Sequence, residues 1–182
     1  MTDFIGETRD LLERTPILLR ALLGGLTESW TATPDAVDGW RPRDVVGHLI
    51  SAELDDWIPR ATRILESGTS VPFDPFDRFA HVGRDDDKTL DELLARFEQL
   101  RAESLVSLGE LVSDADLELR GSHPVLGEVT IRELLATWAV HDLDHVAQIY
   151  AGLAGSHDGD VGPFRGNLGI LLRREDPGAI PG

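Results

Sequence analysis

The sequence contains no cysteine. That excludes disulfides, thiolate metal ligands and a cysteine nucleophile together. Any metal must be held by His, Asp or Glu, and any thiol chemistry must use a thiol from outside the chain. No apolar run is long enough to span a bilayer, because Arg20 interrupts the best candidate between Ile17 and Leu26. The first residues, Met1-Thr2-Asp3-Phe4, lack the basic-then-apolar pattern of a signal peptide, and the expectation is a cytoplasmic protein. Basic residues are few: 17 Lys and Arg against 33 Asp and Glu leave a formal net charge of −16. Such a charge opposes phosphate backbones and anionic lipids, which argues against nucleic acid and membrane as partners. It does not set the charge of a substrate, since a bound cation can override the global field locally. Alternating β-branched runs are scarce, so a sheet is not expected.

What is present reads as helices joined by Gly- and Pro-rich connections. A first helix is predicted over about Thr2 to Leu23, with Phe4, Thr8, Leu11, Thr15, Leu18 and Leu22 at helical spacing and Gly24-Gly25 ending it. Pro16 inside it predicts a kink or a break. A second helix runs from Pro42 to about Ser67, with a kink expected at Pro59. The loop from about Thr69 to Lys88 is long for a compact domain, a length that points to function. Its run Asp85-Asp86-Asp87 lacks the alternating spacing of a calcium-binding loop. A capping box, Thr89 to Glu92, opens the third helix, striped by Leu90, Leu93, Leu94, Phe97, Leu100, Ser104, Leu108 and Leu111. A second capping box, Thr130 to Glu133, opens the fourth, which continues to about Leu153. At 182 residues the chain is most simply one domain: an all-α, up-down four-helix bundle over residues 1–153. Residues 154–182 form a Gly/Pro-rich extension with one short helix near Leu168 to Arg174.

The chemistry concentrates in the fourth helix. Ile131, Trp138 and His145 are seven apart, as are Leu134, His141 and Gln148, and both series lie on the inward seam of a bundle helix. Two histidines and a glutamine thus replace apolar residues at core-facing positions. A buried polar group is costly without a partner, and His141 and His145, one turn apart on one face, can share a metal ion. Buried imidazoles bonded to carboxylates, or a solvent-exposed helix end, would also account for them. His48 lies near the start of the second helix, about 120° from the centre of the stripe Val46, Leu49, Ile50, Trp57 and Ile64, where pattern alone places a surface histidine. Asp44, one turn earlier, could orient it. Glu53 falls on the apolar stripe, as a buried functional acid, a ligand, or the partner of a buried Arg.

Three stretches together carry a resemblance. They are Trp40-Arg41-Pro42-Arg43-Asp44-Val45-Val46-Gly47-His48-Leu49, then His123-Pro124-Val125-Leu126-Gly127, and Thr130-Ile131-Arg132-Glu133-Leu134-Leu135-Ala136-Thr137-Trp138 running into His141-Asp142-Leu143-Asp144-His145-Val146-Ala147-Gln148. In their order and spacing the chain resembles the DinB/YfiT-like superfamily of metal-binding four-helix bundles over about Phe4 to Leu153. The resemblance implies that His48, His141 and His145 are three metal ligands, that the metal is divalent, usually zinc or nickel, and that homodimers are frequent. Relatives of this kind include glutathione, mycothiol and bacillithiol transferases, proposed hydrolases, and many members of unknown activity.

Other polar residues are read more plainly. His123, before Pro124, is either a site-rim residue or a turn residue packed on the bundle end. His81 and His157 are read as solvated, Trp57 and Trp138 as core, and Asp142 and Asp144 as a solvated face. The expected protein is a metal-dependent enzyme in which a small-molecule thiol attacks an electrophilic substrate held by the 69–88 loop. Glu53 and Asp44 are its candidate catalytic proton acceptors. A metal-dependent hydrolase, or a non-catalytic, stress-related metal-binding protein, is the alternative.

Overall fold

In the computed structural model, which describes residues 3–36 and 39–173, Asp3 accepts the Gly6 N–H and opens helix α1 (Phe4–Leu23). A single-turn helix α2 (Glu28–Thr31) interrupts the first connection. Helices α3 (Pro42–Asp55) and α4 (Trp57–Ser67) occupy the region expected to hold one kinked helix. The break falls at Asp56, three residues before Pro59. Pro59 has no N–H for the Asp55 carbonyl and its ring crowds that carbonyl, so it fits in the first turn of a new helix and not inside the old one. Helix α5 (Leu90–Leu111) and helix α6 (Ile131–Gly155) begin with the expected capping boxes. In each, the threonine hydroxyl accepts the glutamate N–H while the glutamate accepts the threonine N–H.

Between α5 and α6 lies a two-stranded antiparallel hairpin, β1 (Arg120–His123) and β2 (Gly127–Thr130). Strands of four residues are too short to show an alternating run, which is why the sequence does not announce them. Gly127 supplies the left-handed turn residue at φ +81°. After α6 a 3₁₀ segment (Gly162–Asn167) leads into helix α7 (Gly169–Arg173), whose Leu171 is buried. The predicted start at Thr2, the predicted end at Arg174, and the rest of the extension to residue 182 lie outside the described residues. No helix among those described is long and apolar enough to cross a membrane.

The four long helical rods, with α3 and α4 counted as one, make a four-helix bundle. Its ring order is not the sequence order. Helices α1 and α3 each pack against both α5 and α6, so α1 lies diagonal to α3 and α5 diagonal to α6. The long connections 24–41 and 112–130 give the chain room to cross the bundle ends. Two apolar clusters fill the interior. One centres on Leu12, Trp57, Leu108, Ile131 and Trp138, the other on Leu19, Val46, Leu49, Phe97 and Ile149.

On α1 the buried face is Thr8, Leu12, Thr15, Leu19 and Leu23, and Leu18 is 40% exposed. The expected stripe was off by one at its leucines, because Leu11-Leu12, Leu18-Leu19 and Leu22-Leu23 are doublets that offer two seams. Packing selects between them.

A buried polar knot on α5 touches all three other rods. Arg101, 1% exposed, donates to Glu53 of α3 at 2.7 and 3.0 Å and to Asp142 of α6 at 2.6 and 3.0 Å. It also donates to the Leu12 carbonyl of α1 at 2.8 Å. That carbonyl would normally receive the N–H of residue 16, and Pro16 has none. The helix therefore continues through Pro16 unbroken, and the acceptor that Pro16 leaves open is satisfied by Arg101.

Candidate metal centre

The fold brings His48 of α3 against His141 and His145 of α6. Their ligand-capable nitrogens lie within 4.8 Å of one another. The Nε2 atom of His141 is 3.2 Å from that of His48 and 3.1 Å from that of His145. Two nitrogens each about 2.0–2.1 Å from one ion stand roughly 2.9–3.4 Å apart at angles between octahedral and tetrahedral, so these separations suit a shared cation. His48 and His145 are buried. His48 lies off the apolar stripe but is covered by the returning 69–88 loop and by Trp40, whose ring centroid is 4.8 Å away.

The proton balance points the same way. His48 Nδ1–H donates to the Arg78 carbonyl at 3.3 Å, and His145 Nδ1–H donates to the Gln148 amide oxygen at 2.7 Å. These partners, which assign the tautomers, leave both Nε2 atoms as bare acceptors facing His141. His141 can offer at most one N–H between two of them. A cation at the centre would satisfy all three lone pairs, and the partners on Nδ1 are of the kind that orient metal-binding imidazoles. Burial, with the neighbouring imidazoles, pushes His48 down to about 4 and His141 down to about 3. Burial also lowers His145, against the opposing pull of Gln148. All three rings are thus neutral near pH 7, the protonation state a metal requires.

The two candidate carboxylates lie elsewhere. Glu53 is in the Arg101 knot and also accepts the Trp138 indole N–H at 3.2 Å. Burial raises its carboxyl against the opposing pull of Arg101. Asp44 accepts from the backbone N–H of Arg41 at 3.0 Å and from its guanidinium at 2.9 Å, and the role of orienting His48 falls to the Arg78 carbonyl instead. Asp142, read as solvated, is completely buried on Arg101. Arg101 itself continues the Phe97–Ser104–Leu108 face of α5, a signal available in the spacing.

His81 is not solvated either. It is 5% exposed, edge-on to Trp40 at 4.9 Å between centroids, and set over Gly47, where a Cβ would come within 3.1 Å of the His81 Cβ. The loop is held down on α3 by Arg43, which donates to the Asp85 and Lys88 carbonyls at 3.0 Å. Arg84 adds bonds to Ser51 Oγ at 3.0 Å and the Gly47 carbonyl at 3.2 Å. His157 is half-buried against Trp30, with ring centroids 4.0 Å apart.

His48 and His141 form one wall of a cavity of about 370 Å³. Trp57, Phe73, Phe76, Leu126, Val129 and Leu134 make it mainly apolar, with Arg60 paired to Asp56 at 2.7 Å as a polar edge. Trp57, read as core, walls the cavity; it meets the His141 ring edge-on at 5.1 Å and stacks on Trp138 behind. His123 also lines the cavity, and its Nδ1 accepts the Val125 and Leu126 N–H groups, so it shapes the hairpin turn as well. A cavity of this size and polarity beside convergent imidazoles has the form of a small-molecule site.

A helical bundle with three histidines converging at a cavity defines a class of metal-binding bundle proteins. The chain belongs to the DinB superfamily, whose sequence model matches residues 11–149. It is 30% identical over 143 residues to a proposed metal-dependent hydrolase of Bacillus licheniformis, covering 77% of this chain and 80% of the relative. It is 28% identical over 142 residues to YfiT of Bacillus subtilis, also named as a proposed metal-dependent hydrolase, covering 76% and 78%. The solved structure of YfiT, described as a probable metal-dependent hydrolase with an unusual four-helix bundle topology, superposes with a TM-score of 0.72. That match is at 24% identity and covers 85% of this chain and 89% of YfiT, a likeness of fold.

Proposed function

We propose that this protein is a divalent-metal-dependent enzyme with His48, His141 and His145 as ligands, transferring a low-molecular-weight thiol to an electrophilic small molecule. The observation that carries the proposal is the convergence of three neutral imidazoles on the wall of an apolar cavity. A divalent ion held there, zinc or nickel, supplies a Lewis acid that lowers the pKa of a thiol or a water.

The protein's own groups do the remainder. The Arg78 carbonyl and the Gln148 amide hold two of the rings in place, and the cavity beside them has mainly apolar walls. The two candidate bases and the two carboxylates lining the cavity are engaged: Glu53 by Arg101, Asp44 by Arg41, Asp56 by Arg60, and Glu133 by the Thr130 cap. Glu53 or Asp44 would have to leave an ion pair to accept a proton. A thiol, more acidic than water at the outset, asks less of such a base, which favours the thiol as nucleophile. With no cysteine in the chain, that thiol is a cosubstrate. A homodimer belongs to the same proposal on the resemblance alone. The names of the relatives favour the second reading, hydrolysis of an ester or amide.

The test is turnover by the zinc- or nickel-loaded protein with two probe systems, a small thiol plus 1-chloro-2,4-dinitrobenzene, and 4-nitrophenyl acetate without thiol. Conjugation that needs the metal and disappears in His145→Ala is the expected result. Ester cleavage alone would move the reading to hydrolysis, and neither, with metal bound, would make this a non-catalytic metal-binding protein.

A further inference from the structure

We infer that Arg78 is the anion-recognition residue of the cavity and that the ligand it receives is an apolar small molecule bearing a single carboxylate. This rests on reading the cavity beside the three histidines as the substrate site. Two arginines line that cavity. Arg60 is committed, paired with Asp56 at 2.7 Å and lying over the Phe73 ring at 5.3 Å. Arg78 forms no ion pair among the described residues. Its guanidinium lies 5.3 Å from the Trp40 ring centroid and 5.2 Å from that of Phe79, and the residue is exposed where it borders the cavity. In a chain of net charge −16, a cation beside the cavity without a carboxylate partner is an opening for an anion from outside.

The backbone of Arg78 is fixed at the same time, because its carbonyl receives the His48 ring N–H. A guanidinium laid against aromatic faces keeps its N–H edge free and loses little freedom on binding, and that edge matches a carboxylate in two parallel hydrogen bonds. Asp56 and Glu133 also border the cavity, so negative charge on a ligand belongs beside Arg78 and away from them. The rest of the ligand meets Trp57, Phe73, Phe76, Leu126 and Leu134, walls that take an aryl or alkyl body.

The experiment is titration calorimetry of 4-phenylbutyrate and its neutral amide against the metal-loaded and metal-free protein, in the parent, Arg78→Gln and Arg78→Lys. The parent is expected to favour the acid by about tenfold, the worth of a charge-assisted hydrogen bond. Arg78→Gln should bring the acid to the level of the amide, leave the amide unchanged and keep the parent's metal content, since the backbone carbonyl remains. Arg78→Lys should restore part of the preference. Equal affinities for acid and amide in the parent, an acid preference that survives Arg78→Gln, or no binding of either probe would overturn the inference. An acid preference found only in the metal-loaded protein and indifferent to Arg78 would place the carboxylate on the ion instead. Arg78-dependent binding in a protein that holds no metal at the histidines would overturn the metal reading and leave this one standing.

Discussion

Each of the three histidines is held neutral by its surroundings, and this has a consequence in acid. The unfolded chain takes up protons near 6.5, whereas burial holds His48 to about 4 and His141 to about 3 in the fold. Between those values the unfolded state binds more protons than the folded one. The stability these groups contribute is therefore present above pH 6.5 and is lost as pH falls through 6.5 toward 4 and below. Urea unfolding of the metal-free protein should show a stability loss of order 1 kcal/mol per pH unit for each such imidazole in that range. His141→Asn should flatten the slope by one imidazole's share. An equal slope in the variant would mean that the ring is not held neutral by the fold. Among single residues, His141, His145 and Gln148 were legible from their seam positions, because seven-residue spacing is a local property of one helix. His48, His81 and Asp142 were not legible from spacing. Their burial is made by other segments: the 69–88 loop over His48 and His81, and Arg101 against Asp142.

At the scale of elements, termini were read well where the signal is local. The capping boxes at Thr89 and Thr130 name their own helix starts, since both partners sit within one turn. Prolines were read less well. Pro59 marks a break that appears at Asp56, and Pro16 marks none, because its consequence is decided by a residue 85 positions away in the chain. Arg101 is the element-level link, one guanidinium bonded to a group on each of the other three helical rods. Arg101→Met would leave Glu53 and Asp142 buried without a counterion, and urea unfolding is expected to show a loss of about 3–5 kcal/mol. Adding Glu53→Gln and Asp142→Asn to that variant should recover part of it, since the uncompensated charges are then gone. A loss under about 1 kcal/mol for Arg101→Met would contradict the account of the knot.

For the whole molecule, helix count and class were legible from periodicity, while the ring order was not. Four amphipathic helices can surround one core in several cyclic orders, and the long connections 24–41 and 112–130 leave the choice open in the sequence. The adopted order sets α3 beside α6, and this adjacency is what makes a site from residues 93 positions apart. The hairpin and the 69–88 loop then close that end of the bundle and shape the cavity. The central claim is that the molecule presents one metal-binding centre built from two rods. Its most direct test is metal content by mass spectrometry on untagged protein, for the parent, His48→Ala and His145→Ala. The account predicts close to one equivalent of a divalent metal in the parent, lost from both variants. Metal retained in His48→Ala, or none in the parent after incubation with zinc or nickel, would contradict it.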